Sequence, residues 1–342
     1  IMALELEDKV RSIAKDLGFD ECRFSVAKEA SHADRFQTWL DDGQNGDMKW
    51  MERSPERRKD PRLLLEEART VIVLAINYYP SRSDPRSKDK LGRFAKYAWG
   101  EDYHLVVDKK LKAFASALEE LGGEQRFYVD YGPILERDFA TDSGLGWNGK
   151  STVQIHPRLG TWFFLAELVT TLDLASDDPI PNRCGKCTQC IDCCPTQAIT
   201  SPHHLDARRC ISYFTIEHQG SIPQEFREAI GDRIFGCDDC LEVCPWNRFA
   251  KASTEVKFSA REYIDMPLKE FLALSEENFH SLFGRSPVKR IGRDRFLRNV
   301  CIALGNTGNM CDIPCLKRTI AKENQLIREH AKWAIEQIKS RS

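Results

Sequence analysis

The chain has 342 residues, 42% of them apolar and 30% charged, with a net charge of −2. That length exceeds what one core usually holds, so two or three domains are expected, and no apolar run of about eighteen residues is present to cross a membrane. Nine of the thirteen cysteines crowd between Cys184 and Cys244 in repeated C-x-x-C spacing, which reads as metal ligation in a reducing compartment rather than as a disulfide framework.

The first residues, Ile1-Met2-Ala3-Leu4-Glu5, turn acidic at once and lack a basic region followed by a long apolar segment. No signal peptide is expected, and a cytoplasmic location is. Leu6, Val10, Ile13 and Leu17 share one helix face that Gly18 ends. A strand follows through Cys22–Val26, then a helix over Ala33–Leu40. Thr70–Asn77 is a continuous β-branched and apolar run, the pattern of a strand buried on both faces. A helix carries Val106, Leu111, Phe114 and Leu118 on its apolar side and Leu105, Lys109, Lys112, Ser116 and Glu119 on the other. Arg126–Val129 reads as a short strand ending at Asp130. Thr152–Ile155 and Thr161–Val169 read as a closing pair around Pro157-Arg158-Leu159-Gly160. The alternation predicts an α/β sandwich over residues 1–175.

A composition break at Ser176–Pro181 reads as a linker, and residues 176–250 as a cysteine-rich module. Residues 251–342 carry three helical patterns, Arg293–Leu304, Ile313–Lys322 and Leu326–Ile338, resembling a HEAT-like repeat that must dock on the rest of the chain to bury its apolar face. Charge is uneven: this last segment has 17 Lys plus Arg against 11 Asp plus Glu, the first 250 residues 33 against 41. Its sharpest cluster, Arg285, Lys289, Arg290, Arg293, Arg295 and Arg298, is expected to face a polyanion.

Cys184-x-x-Cys187-x-x-Cys190-x-x-x-Cys194-Pro195 is the bacterial ferredoxin run, whose fourth cysteine ligates the other cluster in two-cluster ferredoxins. The second run, Cys237-x-x-Cys240-x-x-x-Cys244-Pro245, lacks its first cysteine, for which Cys210 is the available substitute. Two [4Fe-4S] clusters are expected: one on Cys184, Cys187, Cys190 and Cys244, the other on Cys194, Cys210, Cys237 and Cys240. Cys193 is expected to be a bystander, and Cys22, Cys301, Cys311 and Cys315 to be small buried apolar residues. The clusters move single electrons; what receives them must lie in the N-terminal domain. Dense polar and glycine-rich segments occur there, at Tyr128–Arg137, Ser143–Ser151 and Arg93–His104. The glycines let backbone approach a large ligand, but neither a dinucleotide fingerprint nor a P-loop is present.

Together the Asp130 segment, the Gly144-Leu145-Gly146-Trp147-Asn148-Gly149-Lys150 loop, Lys96-Tyr97 with Asp102-Tyr103-His104, the shifted ferredoxin pair and the helical tail resemble the epoxyqueuosine reductase family, cobalamin-dependent iron–sulfur enzymes that complete queuosine biosynthesis on tRNA. The likeness runs over nearly the whole chain, and the N-terminal and cysteine-rich parts are also similar to the more distant reductive dehalogenases. The resemblance implies a multidomain α+β and α/β architecture: a cobalamin-binding catalytic domain (1–175), a ferredoxin-type two-cluster domain (176–250) and a HEAT-like tRNA-binding region (251–342). It implies reduction of the epoxide of epoxyqueuosine in the tRNA anticodon by cobalamin and both clusters. Asp130 would act as the acid and also touch the cofactor, with a carboxyl kept protonated by its enclosure. Arg53, Tyr97, Asn148, Lys150, Ser151, His156 and Asp238 are candidate cofactor contacts. The cobalamin signature D-x-H-x-x-G is absent, since Val107 stands where glycine is needed after Asp102-Tyr103-His104, so no lower histidine ligand is expected. The expected partners are the anticodon stem-loop and a one-electron donor of the flavodoxin or ferredoxin type, with the protein a monomer. Two other readings stay open: a corrinoid-dependent reductase of a small molecule, which has no need of a basic tail, and a non-catalytic electron carrier, which has no use for Asp130.

Overall fold

The computed structural model describes residues 2–84 and 91–341; Ile1 and Ser342, outer bounds of the first and last expected domains, lie outside them. The N-terminal part is built from helices α1 (Met2–Asp16), α2 (Ala33–Asp41), α3 (Pro55–Lys59), α4 (Tyr103–Glu119) and α5 (Glu136–Asp142). Its strands are β1 (Glu21–Val26), β2 (Thr70–Asn77), β3 (Arg93–Phe94), β4 (Gln125–Tyr128), β5 (Trp147–Asn148), β6 (Gln154–Ile155) and β7 (Phe163–Thr170). The central sheet runs β1-β2-β7-β4 with every neighbouring pair antiparallel. β2 is buried along its whole length because both faces are covered. Val10, Ala14, Val107, Leu111 and Phe114 of α1 and α4 pack on Ile72, Leu74 and Ile76. Phe139 and Ala140 of α5, with Ala27, Ala30 and Leu65, pack on Val71, Val73 and Ala75. The two-residue period of the strand assigns its side chains to these two layers alternately.

The expected strand pair around Pro157–Gly160 is not formed as such. β6 pairs with β5, β7 pairs with β2 and β4, and only an isolated bridge, His156 to Gly160, closes the turn. The eight-residue β7 has a full-length partner in β2, which a two-residue β6 cannot offer.

The cysteine-rich part contains α6 (Gln189–Asp192), β8 (Ile199–Ser201), β9 (His204–Leu205), α7 (Ile211–Ile216), α8 (Gln224–Ile230), β10 (Arg233–Phe235) and α9 (Asp239–Glu242). β10 lies parallel to β3, stitching this part to the N-terminal one. The segment read as a linker is tied down too: the Phe24 N–H donates to Asp177 Oδ2 at 2.8 Å and Arg11 reaches Asp177 Oδ1 at 2.8 Å.

The last part holds α10 (Leu268–Phe271), α11 (Glu276–Phe283), α12 (Gly292–Thr307), α13 (Ile313–Lys322) and α14 (Gln325–Ser340). One core joins Phe94, Ala98 and Trp99 to Ile211, Phe214 and Ile234 and to Phe296, Val300, Leu304 and Ala334. α12 and α14 touch at Gly305, where a Cβ would stand 2.5 Å from the Trp333 ring, so only glycine admits that approach. Among the described residues no helix is long and apolar enough to cross a membrane.

Candidate functional site

A cavity of about 600 Å³ opens where the three parts meet, within the range of small-molecule and cofactor sites. Aromatic Tyr78, Tyr97, Phe164 and Phe235 line it together with Arg290 and Arg295. Asp130 and Glu136 supply carboxyls.

Asp130 stands at the end of β4 with a φ of 62°, the left-handed region that costs most residues and that aspartate tolerates better than most. Three contacts hold it there. Its own N–H donates to Glu136 Oε1 at 2.8 Å, the Tyr103 hydroxyl donates to its Oδ2, and the buried Arg58 guanidinium donates to the Gly132 carbonyl at 3.1 Å, fixing the loop beyond. Tyr103 in turn stacks on Phe164, ring centroids 4.3 Å apart and planes 12° off parallel, with the Arg290 guanidinium 5.2 Å from its centroid. Burial and then the Asp130 charge push the Tyr103 phenol well up, so it stays a hydrogen-bond donor. Asp102, beside this group, is held at about 2: burial opposes ionisation, but the His104 hydrogen bond and the Arg290 charge outweigh it. The His104 ring is taken up by Asp102, Arg290 and a stack on Tyr131.

Behind Asp130 lies a second acidic group that the sequence pattern does not single out. Glu136 begins α5 and lines the cavity; burial and then the Asp130 charge raise its carboxyl to about 7. Glu167, fully buried in the middle of β7, is raised by burial and then by Glu136.

The thiols lie in two neighbouring groups, with Cys193 close to both. Burial raises the Cys190 thiol and its neighbours Cys184 and Cys187 add to that; burial, then Cys184, Cys190 and Cys187, bring Cys244 to about 11. In the other set burial raises Cys210, with Cys194 beside it, and burial raises Cys240, with Cys237 and Cys210 beside it. Cys244 thus has cysteines of the first run as neighbours, and Cys210 lies near Cys194, Cys237 and Cys240. Cys193 points between the sets, its Sγ 3.5 Å from the carbonyls of Cys190 and Asp239. Cys22 and Cys301 are buried as expected, but Cys311 is exposed, because it sits in a short turn ahead of α13 rather than on a packed helix face. The second set adjoins the cavity: Ser212 and Ile216 lie on α7, which follows Cys210, and Phe235 precedes Cys237 by two residues, and all three line the wall.

Of the other candidate cofactor contacts, Tyr97 lines the cavity, edge-on to Tyr103. Asn148 is ladder-paired with the cavity-lining Gln154 and its Oδ1 is buried without a donor among the described residues. Arg53 is exposed and off the cavity wall. Lys150 is drawn to the first cysteine run instead, its Nζ donating to the carbonyls of Gly185 at 2.8 Å and Cys187 at 2.9 Å. Ser151 is buried, its Oγ accepting from Val153 N–H at 3.5 Å. His156 is a turn-former: its Nδ1 accepts from the N–H groups of Arg158 and Leu159, and its Nε2 faces Glu21 at 3.4 Å. Asp238 precedes α9 without capping it, its carboxyl accepting instead from the Lys96 N–H at 2.6 Å; burial lifts that carboxyl to about 6 against the pull of Lys96.

The basic cluster does not stand free as a whole. Arg298 has no exposed surface: it donates to the carbonyls of Phe214, His218 and Gly220 at 2.7–2.8 Å and to Asn299 Oδ1, clamping α12 on α7. Arg293 is paired with Glu323 at 2.9 Å, and Arg295 donates to the carbonyls of Ile291, Ile216 and Arg290. Arg290 is turned to Asp102 and the cavity. Arg285, 62% exposed beside Glu101, and Lys289, 39% exposed, remain on the surface. The sequence spacing could not reveal this, because a guanidinium satisfying helix-end carbonyls looks like any surface charge. Arg298→Met is therefore expected to lower the unfolding free energy by about 3 kcal/mol or more, since each buried acceptor left without a donor costs roughly 1–3 kcal/mol. Urea denaturation measures the loss.

Comparisons with known proteins bear on the same residues. A family model described as "4Fe-4S double cluster binding domain" matches residues 183–247, and one described as "Epoxyqueuosine reductase QueG, DUF1730" matches residues 58–131. The epoxyqueuosine reductase of Xanthomonas campestris pv. campestris is 40% identical over 338 residues, covering 96% of this chain and 95% of that protein. That of Escherichia coli is 39% identical, covering 97% and 89%. Among solved structures, an epoxyqueuosine reductase with an epoxyqueuosine-modified tRNA-Tyr stem loop superposes with a TM-score of 0.92 at 32% identity, over 98% of this chain and 91% of that one. The Bacillus subtilis enzyme, with an aspartate-bearing catalytic loop swung out of its active site, superposes with a TM-score of 0.90 at 32% identity, over 98% and 91%.

Proposed function

The chain belongs to the epoxyqueuosine reductase family, and from that premise we propose that it reduces the epoxide of epoxyqueuosine in a tRNA anticodon to the cyclopentene of queuosine, with release of water. The observation that carries this reading is Asp130, held in a left-handed conformation on the wall of a cavity that adjoins the second cysteine set and is lined also by arginines.

The two sets of four cysteines suit two [4Fe-4S] clusters. The aromatic walls of the cavity suit the face of a corrin macrocycle, which Tyr78 and Tyr97 would hold. Cobalamin, when bound, would supply the redox chemistry for C–O cleavage, and the cysteine-held clusters would supply single electrons. The residues themselves do the rest. The Tyr103 hydroxyl orients the Asp130 carboxyl, from which the epoxide oxygen takes a proton as it leaves carbon. The modified base must leave the anticodon stack to reach the cavity, a cost of a few kcal/mol that is smallest in a loop.

We assign residues 1–175 to catalysis, 176–250 to electron transfer, and the HEAT-like helices of 251–342, with Arg285, Lys289 and Arg290 near the mouth, to the tRNA. The donor is a flavodoxin- or ferredoxin-type carrier, and the protein works in the cytoplasm as a monomer. Anaerobic reconstitution with iron, sulfide and cobalamin is expected to yield conversion of epoxyqueuosine to queuosine in an anticodon stem-loop, read by mass spectrometry of the nucleosides. A substrate that keeps its epoxide oxygen under reducing conditions overturns the reading. Arg285→Gln with Lys289→Gln is expected to weaken stem-loop binding and flatten the log–log salt slope by roughly 1.5, at about 0.7–0.9 for each phosphate no longer neutralised. Filter binding at several salt concentrations measures it.

A further inference from the structure

Epoxide reduction to an alkene and water consumes two electrons and two protons, and Asp130 carries one proton. Glu136 and Glu167 are placed to supply the other. Glu167 is a charged-type residue in the centre of the four-stranded sheet, opposite Val73 on β2 and Tyr128 on β4. It has no exposed surface, and among the described residues neither carboxyl oxygen meets a hydrogen-bond donor; burial and then Glu136 push its carboxyl up, so it holds a proton that only Glu136 stands ready to accept. It shares the sheet face of Leu165 and Val169, the face on which α5 packs, so its head is aimed at the first residue of α5, Glu136. Glu136 lines the cavity and accepts the N–H of Asp130. A carboxyl with only a second carboxyl for company is costly to bury as a fold element alone.

We propose that Glu167 and Glu136 form a proton store for this site, in which Glu167 holds a proton whose way out is Glu136, and Glu136 passes it to Asp130 once Asp130 has given up its own. The inference rests on the reduction described above with Asp130 as the acid. In the transfer the O–H bond of the Glu136 carboxylic acid breaks, one forms on the Asp130 carboxylate, and no electron moves. The Glu167 O–H then refills Glu136, and a proton taken up from the bulk solvent through the cavity restores the pair. The charges facing the pair are Asp130 from the loop after β4, Arg58 from α3 and Arg137 from α5. The two guanidiniums keep the ionised state of Glu136 within reach, burial favours its protonated state, and the charge that Asp130 acquires on giving up its proton adds to this, toward about pH 7.

Two measurements test this on the reconstituted holoenzyme. In pH-difference infrared spectra, one protonated-carboxyl stretch is expected to vanish as the pH rises through about 7 and a second to persist above it. Glu136→Gln should remove the first and Glu167→Gln the second. Absence of both from the unmodified protein near neutrality overturns the proposal, whatever the substrate and even if a variant fails to fold. In turnover, the alkaline limb near pH 7 is expected to disappear in Glu136→Gln, with kcat reduced by about tenfold or more and iron and corrinoid content unchanged. A Glu136→Gln enzyme with unaltered kcat and an unaltered limb overturns the relay, whereas an unmodified enzyme that leaves the epoxide intact overturns the functional reading on which it rests.

Discussion

Asp130→Asn is expected to leave iron and corrinoid content unchanged while lowering epoxide reduction by roughly 100- to 10,000-fold, the usual contribution of a positioned general acid. Asparagine has the same shape, tolerates the left-handed backbone at φ 62°, and still accepts from the Tyr103 hydroxyl, so the loop should keep its course. It has no proton to give at the departing oxygen. A further distinction lies in where the loss appears. If Asp130 acts only on the chemical step, stem-loop affinity stays near that of the unmodified protein and kcat falls. A loss of bound corrinoid would make Asp130 a binding residue, and a loss below about tenfold would remove it from the acid's role.

Cys210→Ala is expected to halve the iron, from about eight to about four per chain, and to abolish turnover, because the cluster it removes is the one beside the cavity. Cys193→Ala is expected to keep all the iron. The contrast is the informative part, since Cys193 adjoins Cys194 and completes a tidy C-x-x-C with Cys190. Its thiol also lies near Cys190, Cys194 and Cys240, with Sγ 3.5 Å from two backbone carbonyls, while Cys210, far upstream of the second run, has Cys194, Cys237 and Cys240 as neighbours. Iron and sulfide analysis of both variants after reconstitution measures this. Should Cys193 prove necessary and Cys210 dispensable, the crossed assignment fails.

Much of this protein is legible in the chain alone because its signals are local. Ligand spacing in C-x-x-C runs is dictated by the short reach of neighbouring thiols, and the missing first cysteine of the second run points by itself to Cys210. The apolar continuity of Thr70–Asn77 declares a strand covered on both sides, and the amphipathic periods of the tail declare its last three helices within a few residues. Asp130 stands out through its setting among glycine and aromatic residues and through family likeness.

What tertiary structure decided was the partner of each group that reaches across the chain. His156 and Lys150 look like ligand-binding residues in one dimension; in three, they fasten a turn and the first cysteine run. Six basic residues within fourteen positions read as one polyanion site, yet Arg298 and Arg293 spend their donors on buried carbonyls and on Glu323, because a guanidinium is satisfied by whatever acceptors the fold brings to it. Glu167 carried one usable sign, a lone acid inside the apolar strand Phe163–Thr170, and its meaning depended on what stands opposite. A strand pattern tells which face a side chain takes, but only the packing of α5 on the sheet sets Glu136 against Glu167 and both behind Asp130. Charge on a buried group is determined by distant neighbours and by exclusion of water, and neither is written in the residues adjacent to it.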